Sequence, residues 1–124
     1  GQIKIEDYSI VGGMSAVHQF VKIGAHSMIG GGSIVMKDVP PFTKAARDPL
    51  SYEGVNSIGL KRRGFSVEQV NRIHEIYRYL FVKFKNVGRA IKAIEVELPD
   101  SPEREAILEF IRNSNRGLMK GYRS

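Results

Sequence analysis

The sequence predicts a mainly β protein with α: a parallel β-helix of about two coils over residues 1–42, an irregular basic connector over 43–65 and a small helical domain over 66–124. Three observations predict it. Branched aliphatic residues recur at every sixth position from Ile5 to Val35, prolines (Pro40, Pro41, Pro49) end the pattern, and apolar residues return after Ser66 at intervals of three and four.

The first element rests on Ile5, Val11, Val17, Ile23, Ile29 and Val35, an unbroken six-residue clock. One position on stand Glu6, Gly12, His18, Gly24, Gly30 and Met36, half of them glycine. Four positions on stand Ser9, Ser15, Val21, Ser27, Ser33 and Val39, all small or β-branched. Each unit makes a short flat strand and a turn, and three units close a triangular coil of about 18 residues. The aliphatic side chain points into the prism, the small residue faces a cramped corner, and glycine serves turns with unusual backbone angles. Stability then comes from stacking coil on coil. Because two coils bury little, the pattern reads as the C-terminal part of a longer β-helix.

The connector follows from chemistry that opposes regular structure. Pro40, Pro41 and Pro49 fix φ and remove donors, and Ser51–Ser66 is polar, punctuated by glycine and marked by Lys61-Arg62-Arg63. The helices follow from caps and period. Ser66 with Gln69 makes a capping box ahead of Val67, Val70, Ile73, Tyr77, Leu80 and Phe84. A shorter helix is expected over Arg89–Leu98. Ser101-Pro102-Glu103 starts a third, with a cap, a first-turn proline and an acid at the positive dipole end, running to about Asn113.

Composition excludes several classes. There is no cysteine, hence no disulfide, thiolate metal site or cysteine nucleophile, which is compatible with a cytoplasmic location. No apolar run reaches the ~18 residues of a membrane span, and no signal-peptide pattern is present. Of 19 basic and 13 acidic side chains, residues 1–42 hold three of each, so the net charge of +6 falls entirely on residues 43–124. A basic half suggests an acidic partner. Without aromatics interleaved among the basic residues, nucleic acid is not expected.

Four blocks together are specific: "GGMSAVHQF" (12–20), "IGAHSMIGG" (23–31), "DVPPF" (38–42) and "GVNSIGLKRRGFS" (54–66). In order and spacing they resemble the C-terminal half of bacterial UDP-N-acetylglucosamine O-acyltransferases, hexapeptide-repeat enzymes, and the resemblance covers essentially the whole chain. It implies a left-handed parallel β-helix, an exception to the right-handed crossover rule, and homotrimers with sites between neighbouring helices. It also implies the first step of lipid A synthesis, in which a 3-hydroxyacyl chain passes from acyl carrier protein to the sugar 3-hydroxyl of UDP-N-acetylglucosamine. No cofactor is expected, because the donor rides on the phosphopantetheine of the carrier protein, and no metal. The general base would be a histidine, suited to the task near neutral pH. The resemblance places it about one coil before Gly1, so no catalytic residue is assigned here and the chain is expected to be inactive alone.

The remaining roles come over by matching residues. His18 and Gln19 match a pair lining the nucleotide-sugar and pantetheine cleft. Asn56, Arg62 and Arg63 match positions near the uridine diphosphate, where an arginine fork can hold phosphate through two hydrogen bonds. Met28 and Gly31 fall where acyl length is set, an open groove needing a small residue. Two positions depart from the pattern: Gln2 stands where the family has a second histidine, and Ile58 where it has a glutamate near the nucleoside.

Other readings compete. One is a metal-dependent hydrolase on the same solenoid, which the eight-residue spacing of His18 and His26 disfavours, since they occupy different places in their repeats. Others are a non-catalytic trimerisation and carrier-protein-binding module, or another hexapeptide-repeat acyltransferase.

Overall fold

A computed structural model describes residues 2–121; Gly1 lies outside the described residues. Six two-residue strands open the chain: β1 (Lys4–Ile5), β2 (Ile10–Val11), β3 (Ala16–Val17), β4 (Lys22–Ile23), β5 (Met28–Ile29) and β6 (Ile34–Val35). They pair in three parallel ladders, β1 with β4, β2 with β5 and β3 with β6, with Lys4 opposite Lys22, Ile10 opposite Met28 and Ala16 opposite Ile34. In every ladder the partner lies one full coil on, the return that three six-residue units require.

The aliphatic clock points inward as expected. Ile23, Ile29 and Val35 are sealed from solvent, whereas Ile5, one coil earlier, is 50% exposed. The corners obey the same clock, since Tyr8, Met14, Phe20, His26 and Gly32 all have positive φ, between 61° and 72°. The small residues hold the coils together as well as saving space. Ser9 Oγ donates to the Gly24 carbonyl at 2.7 Å, Ser15 Oγ to that of Gly30 at 3.3 Å, and Ser27 Oγ to that of Pro40 at 3.0 Å.

Residues 43–65 correct the expectation of an irregular connector. β7 (Thr43–Ala46) continues the wall, pairing parallel to β5, and β8 (Ser51–Val55) turns back antiparallel to β7. Here Met28 faces Lys44 and Ile23 faces Val39, so this last return is shorter than the others by two positions. Pro40-Pro41 shortens the coil instead of ending it, because proline tolerates a corner that needs no donor. A short helix, α1 (Ser57–Arg62), completes the segment.

The helical part comprises α2 (Val67–Arg78), α3 (Val87–Glu97) and α4 (Pro102–Arg112). The capping box is formed: Gln69 N–H donates to Ser66 Oγ at 3.1 Å and Ser66 N–H to Gln69 Oε1 at 2.8 Å. α3 starts two residues before Arg89 because Asn86 Oδ1 accepts from Arg89 N–H. After α2 the chain runs on as a π-helical turn, Tyr79–Lys83, which carries the stripe to buried Leu80. Ser101 caps α4 through Arg104 N–H.

Two buried polar side chains clamp the C-terminal part to the wall. Tyr77 on α2 is fully buried and its hydroxyl donates to the Pro41 carbonyl at 2.5 Å. Asp38, also fully buried, accepts from Lys22 N–H at 2.8 Å and from Ser114 Oγ at 2.5 Å. No helix among the described residues is long and apolar enough to cross a membrane.

Candidate functional site

The corner between β4 and β5 gathers the most chemistry. His26 sits there with φ of 61°, directly above Tyr8 of the preceding coil and below Phe42 of the next, both also left-handed. The three rings stack, at 4.9 Å from Tyr8 to His26 and 5.8 Å from His26 to Phe42. Phe65 meets His26 edge-on at 5.1 Å and Phe42 at 5.9 Å. An aromatic column thus runs along one edge of the prism, with centroid spacings in the range that aromatic pairs favour.

α1 brings two polar side chains to this column. Asn56 precedes the helix but caps nothing; it is buried, and its Nδ2 donates to the His26 carbonyl at 2.9 Å. Gly59 allows this, because a Cβ there would lie 2.6 Å from Asn56 Nδ2. At the other end Gly64, with φ of 92°, turns the chain out of the helix after Arg63. Arg63 is half-buried, its Nη1 lies 3.4 Å from His26 Nδ1, and its guanidinium sits 5.4 Å above the Tyr8 ring. Arg62, in the last turn of α1, is exposed. Beside the column a groove of about 560 Å³ opens between solenoid and helices, lined by Lys4, Lys22, His26, Phe65, Glu103 and Glu109 among others.

The other nominated residues lie elsewhere. His18 and Gln19 are exposed at the corner between β3 and β4, where His18 N–H donates to the Val35 carbonyl. Met28 is exposed on β5, and Gly31 is exposed at the third corner, between β5 and β6. The structure therefore unites Asn56 with Arg63, and leaves His18, Gln19 and Gly31 on other edges of the same prism. Of the departures, Gln2 is exposed and its carbonyl accepts from Phe20 N–H, while Ile58 is an exposed residue of α1. Tyr8, His26, Phe42 and Phe65 are site residues that sequence reasoning misses. A signal for the first two exists, because Tyr8 and His26 stand three six-residue units apart and so occupy one corner of successive coils.

Burial, then the neighbouring Arg63 guanidinium, push the His26 imidazole below its ordinary 6.5, with Asp7 pulling weakly the other way. As pH falls through about 6.5 the unfolded chain takes up a proton that folded His26 does not, so this contribution to stability is lost until the folded value is reached. The melting temperature of the wild type should therefore fall faster on acidification than that of His26→Phe. Parallel curves would show that His26 is not held neutral by the fold.

Residues 38–119, more than half of the chain, match the family model described as UDP N-acetylglucosamine O-acyltransferase, domain 2. Among curated relatives, the acyl-[acyl-carrier-protein]–UDP-N-acetylglucosamine O-acyltransferase of Burkholderia orbicola is 41% identical over 128 residues, spanning 97% of this chain and 47% of the relative. The like-named protein of Myxococcus xanthus is 38% identical, over 95% of this chain and 46% of its own length. A solved UDP-N-acetylglucosamine acyltransferase from Bacteroides fragilis superposes with a TM-score of 0.92 at 44% identity, over 95% of this chain and 46% of that one. The chain thus spans about half the length of the relatives it matches.

Proposed function

The chain belongs to the UDP-N-acetylglucosamine O-acyltransferase family, and from that premise we propose that it supplies nucleotide-sugar-binding and acyl-groove residues for UDP-N-acetylglucosamine 3-O-acylation, the first step of lipid A synthesis. In that reaction the sugar 3-hydroxyl attacks the thioester carbonyl of a 3-hydroxyacyl chain on acyl carrier protein. The hydroxyl proton passes to a base, the new ester forms and the phosphopantetheine thiol leaves, so no further cofactor enters. The observation that carries the reading is the Arg63 guanidinium, held half-exposed at the end of α1 with Arg62 one residue before it. Two planar forks on one turn suit a diphosphate.

Homotrimer formation fits the scatter of the remaining residues. His18, Gln19, Met28 and Gly31 share no corner with Arg63, so one chain cannot gather them, whereas neighbouring copies packed face to face can. With the family we take the coil to be left-handed and the enzyme to be cytoplasmic.

A chimera tests the function. This chain, substituted for the matching half of the Burkholderia orbicola relative, should transfer 3-hydroxyacyl groups to UDP-N-acetylglucosamine, and the 124-residue chain by itself should not. General-base removal commonly costs 10²–10⁴-fold, and neither the engaged His26 nor the exposed His18 and His74 is assigned that role. Transfer by the chain alone would overturn this assignment. A folded but inactive chimera that still binds acyl carrier protein would favour the docking-module reading, for which exposed Lys61 and Arg62 speak.

In the same chimera Gly31→Met should shift donor preference to chains several carbons shorter, since each methylene kept from its groove forfeits roughly 0.8 kcal/mol. Gly31 has no positive φ to protect, and a Cβ would meet only Gly13 of the neighbouring coil, 3.2 Å from its carbonyl oxygen and 3.8 Å from its nitrogen. A modest loss in melting temperature should accompany the shift. Unchanged donor profiles would remove Gly31 from the groove.

A further inference from the structure

Arg63 is a long side chain near the surface, yet three features fix it. Gly64 ends the helix immediately after it, the Tyr8 ring lies beneath its guanidinium, and His26 Nδ1 faces its Nη1. The last contact carries a constraint that the distance alone does not state. Arginine has five donors, no acceptor and a permanent charge. For this contact to be a hydrogen bond the ring nitrogen facing it must be the accepting one, which requires a neutral imidazole with its proton on Nε2. Asn56 fixes the other side of the same residue by donating to the His26 carbonyl. The residue that holds Asn56 from its backbone thus holds Arg63 from its ring.

We propose that His26 is a positioning residue for diphosphate recognition: its unprotonated Nδ1 orients Arg63 over Tyr8, so that the guanidinium is set before the anion arrives. This rests on the reading of Arg63 as a diphosphate ligand and adds to it a dependence on one neighbouring histidine. Protonated His26 would present N–H to N–H and charge to like charge, and Arg63 would leave its seat. The charged and titratable groups around the imidazole are Arg63 just after α1, Asp7 and Tyr8 from the corner below, and Glu6, Lys4, Lys22 and, from α4, Glu103 and Glu109 along the adjoining groove. Asp7 is the one whose effect on the ring opposes that of Arg63. Burial and then Arg63 push the His26 imidazole below its ordinary value, in the direction the contact requires.

Two substitutions separate orientation from packing. His26→Phe keeps the aromatic column and removes the acceptor, at a corner register where Phe20 and Phe42 already adopt φ of 66° and 72°. His26→Asn places a carbonyl oxygen near the Nδ1 position, does not titrate near neutrality and tolerates a left-handed backbone. The ligand is UDP-N-acetylglucosamine, whose doubly esterified diphosphate does not titrate in this range, measured by calorimetry at about pH 8 and at a lower pH at which nitrogen NMR shows the His26 ring protonated.

The wild type should bind several-fold more weakly at the lower pH. His26→Phe should bind weakly at both, and His26→Asn should bind like the wild type at high pH and keep that affinity at low pH. Combined with Arg63→Ala, His26→Phe should weaken binding no further, because it acts through the missing group. If Arg63→Ala weakens binding and His26→Phe does not, the positioning role is overturned while the ligand assignment stands. If Arg63→Ala itself has no effect, both fall. Additive losses in the double variant would make His26 a direct ligand and likewise overturn the proposal. Nitrogen NMR of the ligand-free chain decides independently of binding, since a neutral ring carrying its proton on Nδ1 contradicts the proposed contact outright.

Discussion

Replacing Gly24 by alanine should destabilise the chain by about 3 kcal/mol or more, at the upper end of the overpacking range and on the order of 10 °C in melting temperature. A Cβ at this position would stand 2.4 Å from the backbone nitrogen of Pro41 and 2.8 Å from its Cα. Neither atom can swing aside as a flexible side chain would, so one coil must lift off the next. Gly12→Ala should behave alike, its Cβ meeting Gly31 N at 2.4 Å and Gly31 Cα at 2.6 Å. Gly13 is the control: nothing lies within 4 Å of a Cβ there, so Gly13→Ala should be neutral or slightly stabilising through the unfolded state. Thermal and urea melts of the three variants decide the matter. Equal stability for all would mean that the corners do not touch backbone to backbone.

The second large effect concerns anion binding. Arg63→Ala, measured in the chimeric enzyme, should raise KM for UDP-N-acetylglucosamine about 10- to 100-fold with kcat little changed, as expected when a charged hydrogen bond worth about 1.5–3 kcal/mol is lost from ground and transition state alike. Arg62→Ala should act in the same direction. Arg63→Lys should recover only part of the loss, because an ammonium keeps the charge but not the planar fork over Tyr8. A wild-type KM in both alanine variants would return the basic triplet to the role of a solvated turn.

How much can be read from residue order depends on whether a feature repeats. The six-residue clock is plain because Ile23, Ile29 and Val35 each face the same interior, so one physical demand is written three times. Helix ends are legible where a cap is local, as with Ser66 and Ser101, whose acceptors serve an amide three residues on. The segment 43–65 reads wrongly as irregular because proline normally interrupts pairing, and nothing nearby in sequence shows that β7 will find β5. Within the site, Asn56 and Arg63 come from a matched motif. His26 escapes notice, since its importance arises only when Tyr8, Phe42, Phe65 and Arg63, drawn from separate stretches, close around it.

The uniform return of three six-residue units in all three ladders makes this wall a quantised length. Removing one residue between Ile5 and Val35 would turn every later aliphatic outward and every later corner residue onto a flat face. Insertion of a whole turn, for instance a second copy of residues 18–35, would leave each ladder in register and add one more layer of two isoleucines and a valine. The shortened return at Pro40-Pro41 would still close the stack, wherever that stack had grown to. Such a wall can therefore gain height by entire storeys, but a second copy of residues 18–35 would set another histidine where Tyr8 now lies beneath Arg63, so the height of the stack and the seat of the arginine are tied together.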